Sequence, residues 1–396
     1  EKWFKIREQL NPTEFLGYKF NKAEGVVLKI SKGKEFIDEA KEGDEIELIT
    51  NQTPFYAESG GQVGDQGTIK TSKCILKIID TQKKMGDLHV HVGKVEKGSI
   101  KIKENVNLEI NIKKRNNVKA YHSATHLLHE ALRRTLGKHV TQKGSLVSFD
   151  KLRFDFSHNK PIEKEEINKI ENLVNDMVIK SSDVKTRIMT TKEAVDKGAL
   201  ALFGEKYGDE VRVLSMGNEN NKFFSTELCG GTHVSNTKEI GKFKIISQSS
   251  IASGVRRVEA LRDEQLKDFE KNQEELKTNK DMKLIDLISS IKEELELLKV
   301  KPNFNKEINL AENLKNLNKQ LNLIKVRAII NDKNKNIIKD KNIEDFIFRY
   351  QTIHDLPFKE LRNIVDTGKK EIKKGVLIVF SIFEGKVGVS VGITND

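Results

Sequence analysis

Two short segments about a hundred residues apart constrain this chain most, because their side chains act together only if the fold brings them to one point. Residues 118–136, VKAYHSATHLLHEALRRTL, carry helix periodicity. Tyr121, Ala124, Leu127, Leu128, Ala131 and Leu132 recur at three- and four-residue spacing, and Gly137 is a natural stop. His122 and His126 lie four apart on that helix, so both rings project from one face. Farther on, Cys229-Gly230-Gly231-Thr232-His233 offers a thiolate and an imidazole on a turn that its glycines let fold tightly. Three nitrogens and one sulfur form a borderline-soft donor set that favours Zn²⁺ over Mg²⁺ or Ca²⁺. The run His122-Ser123-Ala124-Thr125-His126 lacks the Glu that a metalloprotease helix carries after its first His.

Composition narrows the class. The chain has 396 residues, enough for two or three domains with their own cores. Its charged fraction of 33% against 37% hydrophobic suits a soluble protein, and no stretch approaches the ~20 apolar residues of a membrane span. The opening EKWFKIREQL has neither an apolar core region nor an initiating Met. It is therefore not a signal peptide, and it suggests a chain cut from something longer. Only Cys74 and Cys229 are present, which excludes a disulfide framework and fits a reducing cytoplasm. The net charge is +11, and residues 101–160 alone hold thirteen Lys or Arg against five Asp or Glu. A polyanionic partner, and phosphates near His122, follow from that concentration.

The pattern along the chain predicts an α+β protein. Residues 1–112 are β-rich, with alternating runs at 26–30, 45–49 and 74–79. Residues 113–262 combine the 118–136 helix with strands around 145–156, a helix near 162–180, and strands near 211–215 and 242–247. Residues 263–342 form a charged helical hairpin or coiled coil, broken at Pro302, with a polar linker at 331–342. Residues 343–396 make a small α/β domain: a helix near 357–371, then strands GVLIVFSIF and KVGVSVGI around a tight turn at Glu384-Gly385. The apolar stripe of the hairpin suits either a homodimer through the helical and C-terminal regions or a simple spacer.

Longer motifs carry a resemblance. Thr53-Pro54-Phe55-Tyr56-Ala57-Glu58-Ser59-Gly60-Gly61-Gln62-Val63-Gly64-Asp65, the segment His139–Leu146, and Ser253–Glu259 stand in order around the His/Cys pattern. Together they resemble the alanyl-tRNA synthetase family, strongly over residues 15–262 and more weakly beyond. The resemblance implies an editing domain at 113–262 beside the β-rich 1–112, and a C-terminal tRNA-binding domain at 343–396 that stops short of the family's glycine-rich continuation. It implies hydrolysis of serine or glycine wrongly esterified to the 3′ end of tRNA(Ala). It also makes His122, His126, Cys229 and His233 the ligands of one Zn²⁺. Gln142 matches a pocket position that affects discrimination and hydrolysis. ATP and Mg²⁺ belong to an aminoacylation domain, and no GxxxxGK[ST] or GxGxxG pattern occurs here.

Around that core, further residues invite roles. Glu227, just before the Cys motif, is either an orienting group for a ligand or water, or an exposed acid at a loop edge. Thr125 and Gln142 are candidates to hydrogen-bond the serine hydroxyl. Gly60 and Gly61 permit close backbone approach to the tRNA end, or simply connect strands. Arg256 and Arg257 are phosphate contacts or surface residues. His129 also sits on the helix face of the two histidines, and a mere surface residue is one reading of it. Four protein donors would close a zinc tetrahedron, the structural rather than the catalytic arrangement. Two rival readings therefore stand: a free-standing editing deacylase, and a non-catalytic tRNA-binding module with structural zinc.

Overall fold

The computed structural model describes residues 2–200, 209–220 and 222–394, so part of the expected mixed region 184–261 lies outside the described residues. The chain is a mixed α and β protein that divides into two compact units, residues 1–271 and 272–396. No helix among the described residues is long and apolar enough to cross a membrane.

The first unit begins with a short helix, Lys2–Arg7, and then a seven-stranded sheet. Strand Asn105–Ile110 pairs antiparallel with both Gly67–Lys70 and Lys22–Lys32, which closes the sheet on itself as a barrel. Alternation drives this closure: Val106, Leu108 and Ile110 turn inward, where they meet Val27, Ile30, Leu48, Ile69, Leu76 and Ile78.

The barrel wall contains a buried titratable pair, His89 and His91. His91 is fully buried; its Nδ1 donates to the Leu48 carbonyl at 3.0 Å, and its Nε2 lies 2.7 Å from Thr53 Oγ1. Burial drives its pKa down from 6.5 to about 3. The unfolded chain therefore takes up the proton first as pH falls. This contribution to stability is whole above pH 6.5 and drains away toward pH 3. At pH 5 the loss is about 2 kcal/mol, at about 1.36 kcal/mol per unit. Urea unfolding of the parent and of His91→Gln at pH 7 and 5 checks this: the variant should lack about that much of the pH dependence.

Helix Ile112–Leu136 leaves the barrel directly. It begins six residues before the apolar periodicity does, capped by Asn111, whose side chain accepts from the Lys114 N–H. The first turn escaped the periodicity because its buried residue is Arg115, a charged side chain. The helix packs with Lys164–Ile179 over a four-stranded antiparallel sheet ordered 142–147, 152–157, 255–262, 243–252. A three-stranded sheet of Lys185–Thr190, Glu210–Glu219 and Lys222–Leu228 completes this part.

Helix Asp263–Leu297 runs from the first unit into the second. Within the second unit, its later residues Ile288 and Leu295 pack on Leu317 and Leu321 of helix Leu310–Asn331, the expected hairpin. The sheet beyond is ordered 336–343, 346–354, 375–383, 386–393. Its middle strands are parallel, joined through helix Leu361–Glu371, and Glu384 and Gly385 both have positive φ in the predicted turn. The expected polar linker 331–342 is corrected here. Residues Asn336–Ile343 form an edge strand with one partner and nearly full exposure, so nothing selects apolar residues there.

Candidate metal centre

Helix Ile112–Leu136 presents His122 and His126 with stacked rings, 5.2 Å between centroids. Strand Lys222–Leu228 delivers the other half, ending where the Cys229 N–H donates to the Arg212 carbonyl at 3.0 Å. The turn that follows is clamped from outside. Arg212 donates to the Gly231 carbonyl at 2.7 Å while its guanidinium lies over the Tyr18 ring, and the Tyr18 hydroxyl donates to the Gly230 carbonyl. One donor atom from each of His122, His126, Cys229 and His233 then falls within 4.8 Å of the others. Cys229 Sγ stands 3.5 Å from His122 Nε2 and 3.3 Å from His233 Nε2.

The opposite nitrogen of each ring is held by the protein. His122 Nδ1 donates to Gln62 Oε1 at 2.8 Å, and His126 Nδ1 donates to the Glu227 carboxylate at 2.7 Å. His233 Nδ1 lies 3.2 Å from Ser123 Oγ. Because amide and carboxylate oxygens only accept, His122 and His126 carry their protons on Nδ1 and keep Nε2 for coordination. The His126 Nε2 is buried without a hydrogen-bond partner, as a nitrogen reserved for a ligand bond would be. The cluster can hold a metal ion.

The electrostatics agree with that reading. Burial alone would raise the Cys229 thiol, yet the surrounding His122, His233 and His126 hold it well below its ordinary value, toward the thiolate that binds metals. Burial and the neighbouring His122 push His233 down to about 3, a neutral ring. Burial would also lower His126, but the Glu227 carboxylate and Cys229 outweigh it and raise it to about 10.

Glu227 is 1% exposed, not an acid at a loop edge. It bridges His126 and His129, with His129 Nδ1 donating at 3.1 Å and Ser225 Oγ at 3.2 Å. Against burial, these two histidines hold its carboxyl well below the usual range. His129 is likewise buried, which corrects its reading as a surface residue. Thr125 is buried, and its hydroxyl donates to the Tyr121 carbonyl at 2.8 Å. Gly60 and Gly61 form a tight turn with positive φ at both, hydrogen-bonded between Ser59 and Gln62. That turn delivers Gln62, fully buried, to His122.

Gln142, half-buried, opens strand Gln142–Val147 opposite Phe156. Arg256 stands across the same Phe156 on the next strand, while Arg257 makes a two-pronged pair with Asp155 at 2.7 and 2.9 Å. None of these three hydrogen-bonds to the four donors among the described residues. The roles of Gln62 and Ser123 went unread, and that of His129 was misplaced, because single residues of ordinary type carry no spacing signal. Only Ser123 and His129 had a hint, their place on the histidine helix.

Comparison with known proteins defines the class first. The model of the tRNA synthetases class II (A) matches residues 1–114, and that of the threonyl and alanyl tRNA synthetase second additional domain matches 211–259, which holds Glu227, Cys229 and His233. The chain belongs to the alanyl-tRNA synthetase family. It is similar over its whole length to proteins named alanine–tRNA ligase: 42% identical in Chelativorans sp. (strain BNC1), 42% in Parvibaculum lavamentivorans and 41% in Bradyrhizobium diazoefficiens. It spans 44% of the length of each.

Proposed function

We propose that this chain is the editing portion of an alanyl-tRNA synthetase, a zinc-dependent deacylase that hydrolyses serine or glycine esterified to tRNA(Ala). The observation that carries this reading is the convergence of His122, His126, Cys229 and His233 with their opposite nitrogens held by the protein. The whole protein would ligate alanine to tRNA(Ala) using ATP and Mg²⁺, in the cytoplasm, as a homodimer through its helical and C-terminal regions. In this reading 1–112 and 113–262 form the editing part, the hairpin follows from 263, and the tRNA-binding domain, placed at 343–396 from the sequence, takes in the edge strand Asn336–Ile343 as well.

Zinc in this donor set, when bound, polarises a carbonyl and acidifies a water. The chain's own residues supply the rest. Glu227 keeps the His126 proton on Nδ1 and fixes the ring's direction. The Thr125 hydroxyl, its proton committed to the Tyr121 carbonyl, retains lone pairs that accept from a serine hydroxyl. Gln142 offers an amide for the same hydroxyl, which alanine lacks; a site built on that contact sorts by a rule that an apolar pocket cannot apply. In the reaction water oxygen bonds to the ester carbon, the ester C–O bond breaks, and the leaving ribose oxygen takes the proton. Gly60, Gly61 and Arg256 face the tRNA end in this scheme. Arg257, already paired with Asp155, has the weakest claim.

The closed set of four protein donors favours one other reading, a tRNA-binding module with structural zinc. The two separate in one assay: release of serine from Ser-tRNA(Ala) by the zinc-loaded protein and by Cys229→Ala. Hydrolysis by the parent and none by a folded variant is the expected result. Binding of tRNA without hydrolysis by either protein would establish the module instead.

A further inference from the structure

We propose that Gln62 is a positioning residue that ties the N-terminal barrel to the metal centre, holding His122 through Nδ1 and the Cys229–His233 turn through Thr232. The inference rests on the metal reading above. Gln62 is fully buried and reaches across from the Gly60-Gly61 turn. Its Oε1 accepts from His122 Nδ1 at 2.8 Å and from the Thr232 N–H at 2.9 Å, while its Nε2 donates to Thr232 Oγ1 at 2.8 Å. The Thr232 N–H can only donate, so the amide orientation is determined. One side chain thus touches both halves of the donor set. It fixes the proton of His122 on the nitrogen away from the metal, and it fixes the peptide between Cys229 and His233.

Its backbone is anchored as firmly, bonded to Ser59 across the turn and bridged to Val147 of the four-stranded sheet. Without an acceptor at Nδ1, the His122 proton is free to move to Nε2, the coordinating nitrogen, and the ring is free to turn.

Two substitutions separate positioning from packing. Gln62→Met keeps the length and removes the acceptor. Gln62→Glu keeps both acceptor roles, and the Thr232 hydroxyl can turn to donate to it. Zn²⁺ affinity is read by competition with a chromogenic chelator, and the coordination sphere by the visible absorption of the Co²⁺-loaded protein. Gln62→Met should bind Zn²⁺ about 10–100-fold more weakly with altered Co²⁺ bands, and Gln62→Glu should stay within about threefold of the parent. Parental affinity and spectrum in Gln62→Met would overturn the proposal. So would equal weakening in both variants with equal loss of metal-free thermal stability, the mark of a packing role. A parent that takes up neither ion would overturn the metal reading itself, and this inference with it.

Discussion

Gly231→Ala is expected to weaken the metal site on the order of a hundredfold while leaving all four donor side chains in the sequence. A β-carbon at residue 231 would lie 2.1 Å from Cε1 and 2.4 Å from Nδ1 of His122, and 2.9 Å from Gln62 Oε1. Those neighbours are a ring and a buried amide in a close-packed interior, not a flexible tip that swings aside. Overpacking of this kind costs about 3 kcal/mol, which is on the order of a hundredfold in metal affinity if His122 leaves the ion. Gly230→Ala is the internal control, because the nearest atom to its added carbon is the Tyr18 hydroxyl at 4.0 Å. Zn²⁺ competition titrations on both variants check the pair. Parental affinity in Gly231→Ala would mean that the helix and the turn do not meet as described.

The second large effect concerns folding. Asp65→Ala should destabilise the first unit by about 3–5 kcal/mol, because it leaves a buried guanidinium without its counter-charge. Arg115 is 1% exposed and donates to both Asp65 oxygens, to the Gly17 carbonyl at 2.8 Å and to the Pro54 carbonyl at 2.8 Å. Asp65 also accepts from the Tyr56 N–H at 2.7 Å. This network joins the first turn of helix Ile112–Leu136 to three loops of the barrel region, so its loss is felt on both sides. Chemical denaturation of the zinc-loaded protein measures it. Adding Arg115→Met should recover part of the loss, since an apolar pair of similar volume no longer strands a charge. A single variant within 1 kcal/mol of the parent would contradict the network's assigned role.

Arg115 and Asp65 also show why parts of this fold were hard to read. A charged residue counts as surface in any periodicity argument, so the helix was expected to start at 118 rather than at 112. The strand Asn336–Ile343 was hidden for the converse reason: an exposed edge needs no apolar residues, and NIIKDKNI reads as a linker. By contrast, GVLIVFSIF and KVGVSVGI were plain, because strongly β-branched runs around a Glu-Gly turn have few other uses.

By itself the sequence determined the helix that bears His122 and His126, the glycine turn that bears Cys229 and His233, and the family to which the chain belongs. Those features are local, written in residue type and spacing. Only the tertiary structure decided that Gln62, Glu227, Ser123 and His129 surround the donors, and that a strand at 105–110 closes a barrel with one at 22–32. Hydrogen bonds between residues 60 to 170 positions apart depend on how whole elements pack, and no short window of sequence encodes that packing.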